Sequence, residues 1–348
     1  MVRRIHEVSS SGRTDGRKPE PGRPRPRCMT ESRASSGEAR LSPSKPAAVR
    51  AALCAAAFAA TLSAAIPALA QDAGSPDRIK INYVAPTNPA HQELYEKLKD
   101  HKALEILRDI FSPIRFPIDV TLTMRGCDGV SNAWYQRFTL TICYEYVDDI
   151  RKSLPKEPTP AGITSADAML GQLLYVAAHE MGHATFDLLN VPIFGRTEDA
   201  ADQFATYIML LFGKERARRL IGGAAYGYKN YVQNPTVTVP LSAFADEHSA
   251  PMQRFYNLLC IGYGADPDTF GDLISKGYLP ERRAPRCKSE YGEVAFAFKQ
   301  LILPYVDETR AKEVMNREWL PEPSISSVSP ATPAAAAPPA PTTSSSGR

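Results

Sequence analysis

Closely spaced cysteine pairs are missing from this sequence of 348 residues, which has six cysteines and no Cys-x-x-Cys pair. Because thiolate zinc sites are usually built from such pairs, a zinc site of that kind is disfavoured. Long apolar runs are scarce as well. The most apolar stretch, residues 51–70, is short, rich in alanine and interrupted by Pro67, which disfavours a transmembrane helix.

This apolar stretch has the composition of a secretory signal peptide instead. Arg50 precedes it, and Ala68, Leu69 and Ala70 end it with the small-residue pattern of a cleavage site. We therefore expect residues 1–70 to be a leader that is cleaved after Ala70, with Met29 as an alternative start of translation. Cleavage would leave no membrane span, and the mature protein is expected to be periplasmic or secreted.

The sequence after residue 320 is rich in proline, alanine and serine and has few large apolar side chains. We expect residues 321–348 to form a disordered tail, or a tether that associates with the cell wall. The foldable part is then residues 71–320, a suitable length for one domain or for two closely packed lobes.

An excess of positive charge is also lacking once the leader is set aside. Residues 1–70 carry 12 Lys and Arg against 5 Asp and Glu, so that 29 basic and 33 acidic residues remain, a net charge of −4. A nucleic-acid-binding protein usually carries a basic surface. The charge balance therefore gives no indication of a nucleic-acid partner.

Four cysteines remain after removal of the leader, and an even number in an exported protein suggests two disulfides. Three connectivities are possible. We favour Cys127 with Cys143 and Cys260 with Cys287, because each of these pairs closes a local loop.

The hydrophobic pattern predicts an α+β fold. It indicates an amphipathic helix over residues 90–111 and half-buried antiparallel strands within residues 116–124 and 137–147. A helix of about seven turns follows, with Thr164 and Asp167 as a capping box, and it ends before Pro192. A second helix spans about residues 197–213. Strands followed by helices are typical of the α+β class.

The long helix contains the pattern His-Glu-x-x-His at residues 179–183. Residues four apart share one face of a helix, so His179 and His183 present two imidazoles that suit tetrahedral Zn²⁺. Glu180 is placed to take a proton from a zinc-bound water. Short patterns arise by chance, but the surrounding helix is apolar, and metal binding would offset the cost of burying two imidazoles there.

A catalytic zinc needs a third protein ligand, and an acidic cluster follows the histidines by about fifteen residues. Glu198 and Asp202 are four residues apart, which suits one ligand and one acceptor for a ligand histidine. Asp199 points about 100° away from Glu198. We rank Glu198 first as the ligand, then Asp199, then Asp202, with Asp187 as an outsider. The acids also fit the ordinary preference for negative charge in a first helical turn.

The segments HEMGH and EDAAD, taken together, resemble the gluzincin pattern, in which His-Glu-x-x-His is completed by Glu-x-x-Ala-Asp on a following helix. The resemblance implies that His179, His183 and Glu198 are zinc ligands, that Glu180 is the base and that Asp202 orients a histidine. It also implies a zincin-like fold, with a small antiparallel or mixed sheet and its edge strand above the long helix, followed by a mostly helical lower lobe. The spacing between the two motifs is shorter than in thermolysin.

A wider resemblance covers about residues 79–305. The segments NAWY, LTICYE, HEMGH, GRTEDAADQ and DEHSAPMQRFYNLLC occur in this order in a family of bacterial exported proteins called "putative metallopeptidases". The family resemblance implies a peptidase activity and a peptide or protein substrate.

Further candidates come from the flanking segments. Asn132 and Ala133 resemble the edge strand that holds an extended peptide in thermolysin-type enzymes, although an ordinary turn followed by core aromatics fits equally. His248 is the candidate donor to the oxyanion, with Asp246 orienting it and Arg254 as an alternative donor. The other interpretation of His248 is a histidine in a surface loop. Tyrosines in a Gly-rich segment are further alternatives for this donor: Tyr226, Tyr228 and Tyr231. Two upstream histidines, His91 and His101, are interpreted as solvated.

These residues together predict a secreted zinc metallopeptidase in which zinc-bound water, activated by Glu180, attacks a peptide carbonyl. Two alternatives remain open from the sequence. One is a zinc hydrolase that acts on an amide of a cell-wall peptide, and the other is a non-catalytic zinc-binding protein. Glu180 argues against the latter, because a structural zinc site does not need it.

Overall fold

The computed structural model of the chain describes residues 78–234 and 236–319. The expected leader and the expected C-terminal tail lie outside these residues. Within the described ranges, no helix combines the length and the apolar character that crossing a membrane requires.

The described residues form a small sheet followed by a mostly helical region. The strands are β1 Ile79–Tyr83, β2 Val120–Arg125, β3 Ala133–Gln136 and β4 Thr139–Cys143. The helices are α1 Gln92–Asp100, α2 Ala103–Phe111, α3 Tyr144–Ser153, α4 Ser165–Leu188, α5 Thr197–Leu210, α6 Lys214–Tyr226, α7 Lys229–Gln233, α8 Pro251–Ala265, α9 Pro267–Phe270, α10 Asp272–Ser275, α11 Ala284–Leu301 and α12 Glu308–Asn316. This order confirms the α+β class.

The sheet has the strand order β1-β2-β4-β3, with β3 at one edge. The prediction that the alternating segments pair antiparallel was wrong for β2 and β4, which run parallel with Leu122 opposite Leu140. The chain reverses twice between them, because β3 lies there and pairs antiparallel with β4. Alternation reports which face of a strand is buried, but it carries no information on strand direction.

The second alternating segment also leaves the sheet earlier than predicted. It ends as a strand at Cys143, and Tyr144 begins α3. The Tyr144 side chain is fully buried, and its hydroxyl lies 2.8 Å from the Val84 carbonyl oxygen and 3.1 Å from that of Met124. Burial of this large ring against the sheet explains the apolar periodicity that had suggested a longer strand.

The predicted helix over residues 90–111 is two helices. Lys102 adopts a left-handed backbone conformation with φ of 53°, which ends α1 and starts α2 in a new direction. The Leu104 amide then donates to the Tyr83 hydroxyl. His91, expected to be solvated, is buried at 5% exposure, because it is the N-cap residue of α1 and its ring lies 6.2 Å from that of Tyr144. His101 is exposed, as expected.

The long helix α4 begins at the predicted capping box. The Thr164 hydroxyl accepts from the Asp167 amide, and the Asp167 carboxylate accepts from the Thr164 amide. α4 contacts β3 and β4 on the sheet side and α5 and α6 on the other. A Cβ atom at Gly171 would clash with the Leu220 carbonyl oxygen, and one at Gly223 would clash with that of Asp167, so these two glycines let α4 and α6 contact closely.

Two disulfides are formed, and both connectivities are the predicted ones. Cys127 and Cys143 join the segment before β3 to the end of β4. Cys260 and Cys287 join α8 to α11 in the helical region. Structural disulfides are typical of an oxidising environment outside the cytosol.

Candidate active site

Two histidines of α4 lie side by side where α4 faces a cleft. The Nε2 atoms of His179 and His183 are 3.2 Å apart. His179 is buried at 4% exposure, whereas the His183 side chain retains 18%. The local geometry of the helix accounts for this pairing, since residues four apart point in the same direction.

Glu198, in the first turn of α5, faces both histidines. Its Oε2 lies 2.9 Å from Nε2 of His179, and its Oε1 lies 3.3 Å from Nε2 of His183. The close approach of α5 depends on Gly182, because a Cβ atom there would lie 3.2 Å from the ring of Phe204 and 3.4 Å from Cα of Ala201. We refer to His179, His183 and Glu198 as the metal group.

Asp202 contacts the metal group through the second ring nitrogen of His179. His179 Nδ1 lies 2.7 Å from Asp202 Oδ1. The Arg254 guanidinium, on α8, donates from Nε to Oδ2 and from Nη2 to Oδ1 of the same carboxylate, each at 2.7 Å. A carboxylate only accepts, so His179 donates from Nδ1 to Asp202, and Nε2, which faces Glu198, is the ring nitrogen that could bind a metal ion.

The pKa values of Asp202, Glu198 and His179 are set by two opposing effects, burial and contacts with groups of opposite charge. Burial favours the neutral forms, but contacts with His179 and Arg254 lower the pKa of Asp202 to about 2. Burial would also raise the pKa of Glu198, yet its histidine neighbours hold that pKa well below its usual range. Burial alone would lower the pKa of His179. The carboxylates of Asp202 and Glu198 together outweigh burial and raise this pKa to about 9. The site therefore attracts a positive charge, whether a proton or a metal ion.

Glu180 is buried at 7% exposure and lines the cleft beside the metal group. Burial raises the pKa of its carboxyl, while His179 and His183 lower it less strongly. A carboxyl whose pKa is raised toward neutral pH is suited to accept and return protons.

His248 reaches the metal group from the loop before α8. Its Nε2 lies 2.9 Å from Oε2 of Glu198, and its Nδ1 lies 3.1 Å from Oδ1 of Asp246. One ligand atom from each of His179, Glu198 and His248 can be chosen so that all lie within 4.8 Å of one another. His248 is therefore within reach of a metal ion held by the other two or of a substrate bound to that ion.

Hydrogen bonds from the start of α5 hold the loop that carries His248. Ser249 donates to Asp199 over 2.6 Å. Arg196 donates to the carbonyl oxygen of Asp246 over 3.0 Å. Asp199 thus faces this loop, and among the described residues it makes no hydrogen bond or ion pair with a histidine. Of the two adjacent acids, Glu198 is therefore the one that contacts the histidines of α4.

The cleft has a volume of about 840 Å³ and follows the face of α4 that carries the histidines. Asn132 and Ala133 line it where β3 forms the edge of the sheet. Asp187 also lines it, but its carboxylate accepts from the Tyr135 hydroxyl over 2.8 Å, which accounts for its position apart from the metal group. Of the three tyrosines considered from the sequence, Tyr228 lines the cleft.

Several residues of the cleft were missed from the sequence. Tyr175 lies one turn before His179, and Tyr146 lies on α3 opposite it. The four-residue spacing from Tyr175 to His179 was a usable signal, because it places both on one helix face. Ser249 and Arg196 had no such signal, since their roles depend on contacts about 50 residues apart in the chain.

A model of a protein family described as "Putative metallopeptidase" matches residues 83–302. No curated protein and no solved structure matches the sequence. The matched segment contains every residue of the cleft named above.

Proposed function

This chain belongs to the putative metallopeptidase family, and from that premise we propose that it is a zinc-dependent peptidase whose metal is held by His179, His183 and Glu198. The observation that carries the proposal is the convergence of two imidazole nitrogens and a carboxylate, separated by 2.9, 3.2 and 3.3 Å.

These separations fit a tetrahedral zinc site. Nitrogen and oxygen ligands lie about 2.0–2.2 Å from Zn²⁺, so two ligands at the tetrahedral angle are roughly 3.3–3.5 Å apart. The separations of 3.2 and 3.3 Å that involve His183 are close to that value, and the 2.9 Å between His179 and Glu198 is shorter. The donor set of two imidazoles and one carboxylate is also that of a catalytic zinc site, which keeps one position open for water or substrate.

Bound zinc would supply a Lewis acid that lowers the pKa of water and polarises a carbonyl group. Glu180 is the residue placed to accept a proton from the attacking water and to deliver it to the leaving amine. Its raised pKa suits both steps, because the group must hold the proton between them. Asp202 keeps His179 in the tautomer that leaves Nε2 free for the metal.

His248 and the edge strand complete the proposed site. The hydrogen bond to Glu198 is the main cause that raises the pKa of His248, and the hydrogen bond to Asp246 adds to it. The protonated ring can then donate to an oxyanion in the cleft. Asn132 and Ala133 lie where an extended peptide can pair with β3, which has no neighbouring strand on that side among the described residues. The arrangement of edge strand and helix supports a zincin-like fold.

The protein is proposed to work outside the cytoplasm. The two disulfides of the folded part support an oxidising compartment. The leader of residues 1–70 and the wall-associating tail of residues 321–348 remain proposals that rest on the sequence alone.

The test compares the wild-type protein with Glu180→Gln in zinc content and in peptide cleavage. We expect stoichiometric zinc in both proteins and cleavage only in the wild type, because the variant keeps the metal group and loses the proton acceptor. A mixture of unstructured peptides, read by mass spectrometry, reports cleavage without assuming a specificity.

Other outcomes separate the alternatives. Wild-type protein without stoichiometric zinc would refute the proposal as a whole. Zinc without cleavage of any peptide would indicate a non-catalytic zinc-binding protein. Cleavage of cell-wall peptides alone, in a Glu180-dependent manner, would redirect the proposal to a cell-wall amide hydrolase.

A further inference from the structure

One part of the cleft lining is formed by Tyr146, Gln172, Tyr175, Tyr228 and Arg254, and we call this part the inner pocket. Its tyrosines and Arg254 are close enough to interact electrostatically. The ring of Tyr175 lies 6.5 Å from that of His179, so the inner pocket is next to the position where a scissile bond would lie. A substituent of the substrate near that bond would therefore reach it.

Arg254 offers an unused edge to the inner pocket. Its Nε and Nη2 donate to Asp202, as described above. Its Nη1 has no acceptor among residues 78–234 and 236–319. A guanidinium has five N–H donors in a fixed plane and recognises carboxylates with two of them at a time. The contact with Asp202 holds that plane in place and leaves donors for a second acceptor.

The Tyr175 hydroxyl is a second unused group. Tyr175 is 7% exposed, and its oxygen is buried without a hydrogen-bond partner among the described residues. Its polar neighbours are the Asp202 carboxylate and the Tyr228 hydroxyl, which influence it without forming a hydrogen bond of good geometry, and Asp202 already faces His179 and Arg254. A buried hydroxyl without a partner is costly, so a ligand that accepts from it gains affinity. Burial raises the pKa of Tyr175 and of Tyr228, which keeps both phenols protonated as donors.

The charges around the inner pocket are of both signs, since Arg254 belongs to it and the Glu180 carboxylate lies near Tyr146. Lys229 donates to the carbonyl oxygen of Ser153, a cleft residue, and forms no ion pair within the part of the chain that the structure describes. Asp149 lines the cleft, but it is exposed and interacts with Lys152. Solvent and this lysine weaken its repulsion of a second carboxylate.

We propose that the inner pocket binds a carboxylate of the peptide substrate next to the scissile bond, with Arg254 Nη1 and the Tyr175 hydroxyl as the donors. This inference rests on the proposed function, since it names the substrate class of that site. The carboxylate has two possible sources, an Asp or Glu side chain or the C-terminus of the peptide.

The first experiment measures binding, using full-chain protein with Glu180→Gln, loaded with zinc so that peptides are not consumed. Calorimetry compares two matched pairs of probes. The first pair is acetyl-Ala-Ala-Glu-Ala-amide and its Gln counterpart, and the second is acetyl-Ala-Ala-Ala with a free or an amidated C-terminus. We expect the carboxylate member of one pair to bind at least about tenfold more tightly, and the pair that responds identifies the source. Equal affinities within both pairs would overturn the inference.

The second experiment adds Tyr175→Phe to that protein, which removes the hydroxyl and keeps the ring. The preference for the carboxylate probe should fall by about tenfold. Tyr207→Phe is the matched control, because Tyr207 is a half-buried phenol that packs on Tyr291 and Phe298 and does not line the cleft. If Tyr175→Phe does not fold, Arg254→Lys tests the other named donor, because the lysine keeps the positive charge and lacks the planar guanidinium with its Nη1. A preference that survives both changes would contradict the assignment.

The two proposals can fail separately. Wild-type protein that cleaves no peptide, while the Glu180→Gln protein prefers a carboxylate probe, would remove the peptidase and leave the carboxylate site. Wild-type protein that cleaves Glu and Gln peptides, and acid and amide peptides, at equal kcat/KM would remove the carboxylate site and leave the peptidase.

Discussion

The two sides of the metal group are held in different ways. On α4, His179 and His183 are four residues apart on one helix, and the capping box of Thr164 and Asp167 stabilises the start of that helix. On α5, Glu198 follows an N-cap residue that makes no side-chain capping bond. Its surroundings depend on Arg254 and Ser249, which lie about 50 residues further along the chain.

This difference suggests which changes the site tolerates. The α4 side depends on local helix geometry, so its histidines stay together whenever the helix forms. The α5 side depends on contacts between distant elements. Single substitutions there should therefore reduce the metal affinity or the catalytic rate by different amounts, according to the contact that each one removes. Substitutions on the α5 side and in the loop that carries His248 therefore test the contrast.

The largest effect is expected from Glu198→Ala. Removing a direct ligand should reduce zinc affinity by more than about 100-fold, beyond the usual effect of removing a residue that only supports a ligand. Zinc affinity is measured by competition with a chelator. Asp199→Ala is the control, because Asp199 faces Ser249, and it should keep its zinc. Loss of zinc in Asp199→Ala with retention in Glu198→Ala would reverse the assignment.

His248→Ala should lower kcat about 100- to 1,000-fold, the range measured for loss of one oxyanion donor. Zinc content should stay stoichiometric, since the metal group keeps its three donors. This prediction separates a donor from a fourth metal ligand. A variant that loses zinc would show that His248 binds the metal, as its distance from Glu198 also permits.

Asp202→Asn should reduce zinc affinity by about 10- to 100-fold, because the carboxylate that orients His179 becomes a neutral amide. Asp167→Asn is a matched control for the loss of a buried carboxylate, since Asp167 is also buried and also pairs with an arginine, Arg219. The control should lower Tm and leave zinc affinity unchanged. Equal changes of zinc affinity in the two variants would indicate general destabilisation.

The smallest effect is expected from Ser249→Ala. Loss of the hydrogen bond to Asp199 removes about 1 kcal/mol of support for the loop that carries His248. We expect kcat to fall about two- to fivefold with unchanged zinc affinity. Ser242→Ala, in the exposed segment of the same loop, should leave kcat unchanged. An effect on zinc affinity at Ser249 would show that the loop supports the metal group directly.

Much of the fold followed from local signals. The capping box, the length of α4 and both disulfides were predicted. Helix caps, helical periodicity and short disulfide loops all involve residues that are close together in the sequence. The direction of β2 relative to β4 was not, because the reversal depends on β3, a short strand whose pairing is read only from the sheet. The burial of His91 was missed for a similar reason, since the ring of Tyr144, which lies beside it, is 53 residues away in the chain.

The pair of imidazoles and the neighbouring carboxylate of Glu180 could be predicted from the sequence, because the period of one helix brings residues 179, 180 and 183 close together. The sequence left Glu198 and Asp199 open, since adjacent residues on a helix differ only in direction. The tertiary structure decided which of them faces the histidines, through the close contact of α5 with α4 at Gly182. It also decided that Arg254 holds Asp202 and that Tyr175, whose hydroxyl has no hydrogen-bond partner within the described ranges, lies beside the metal group. Both depend on packing between elements that are distant in the chain.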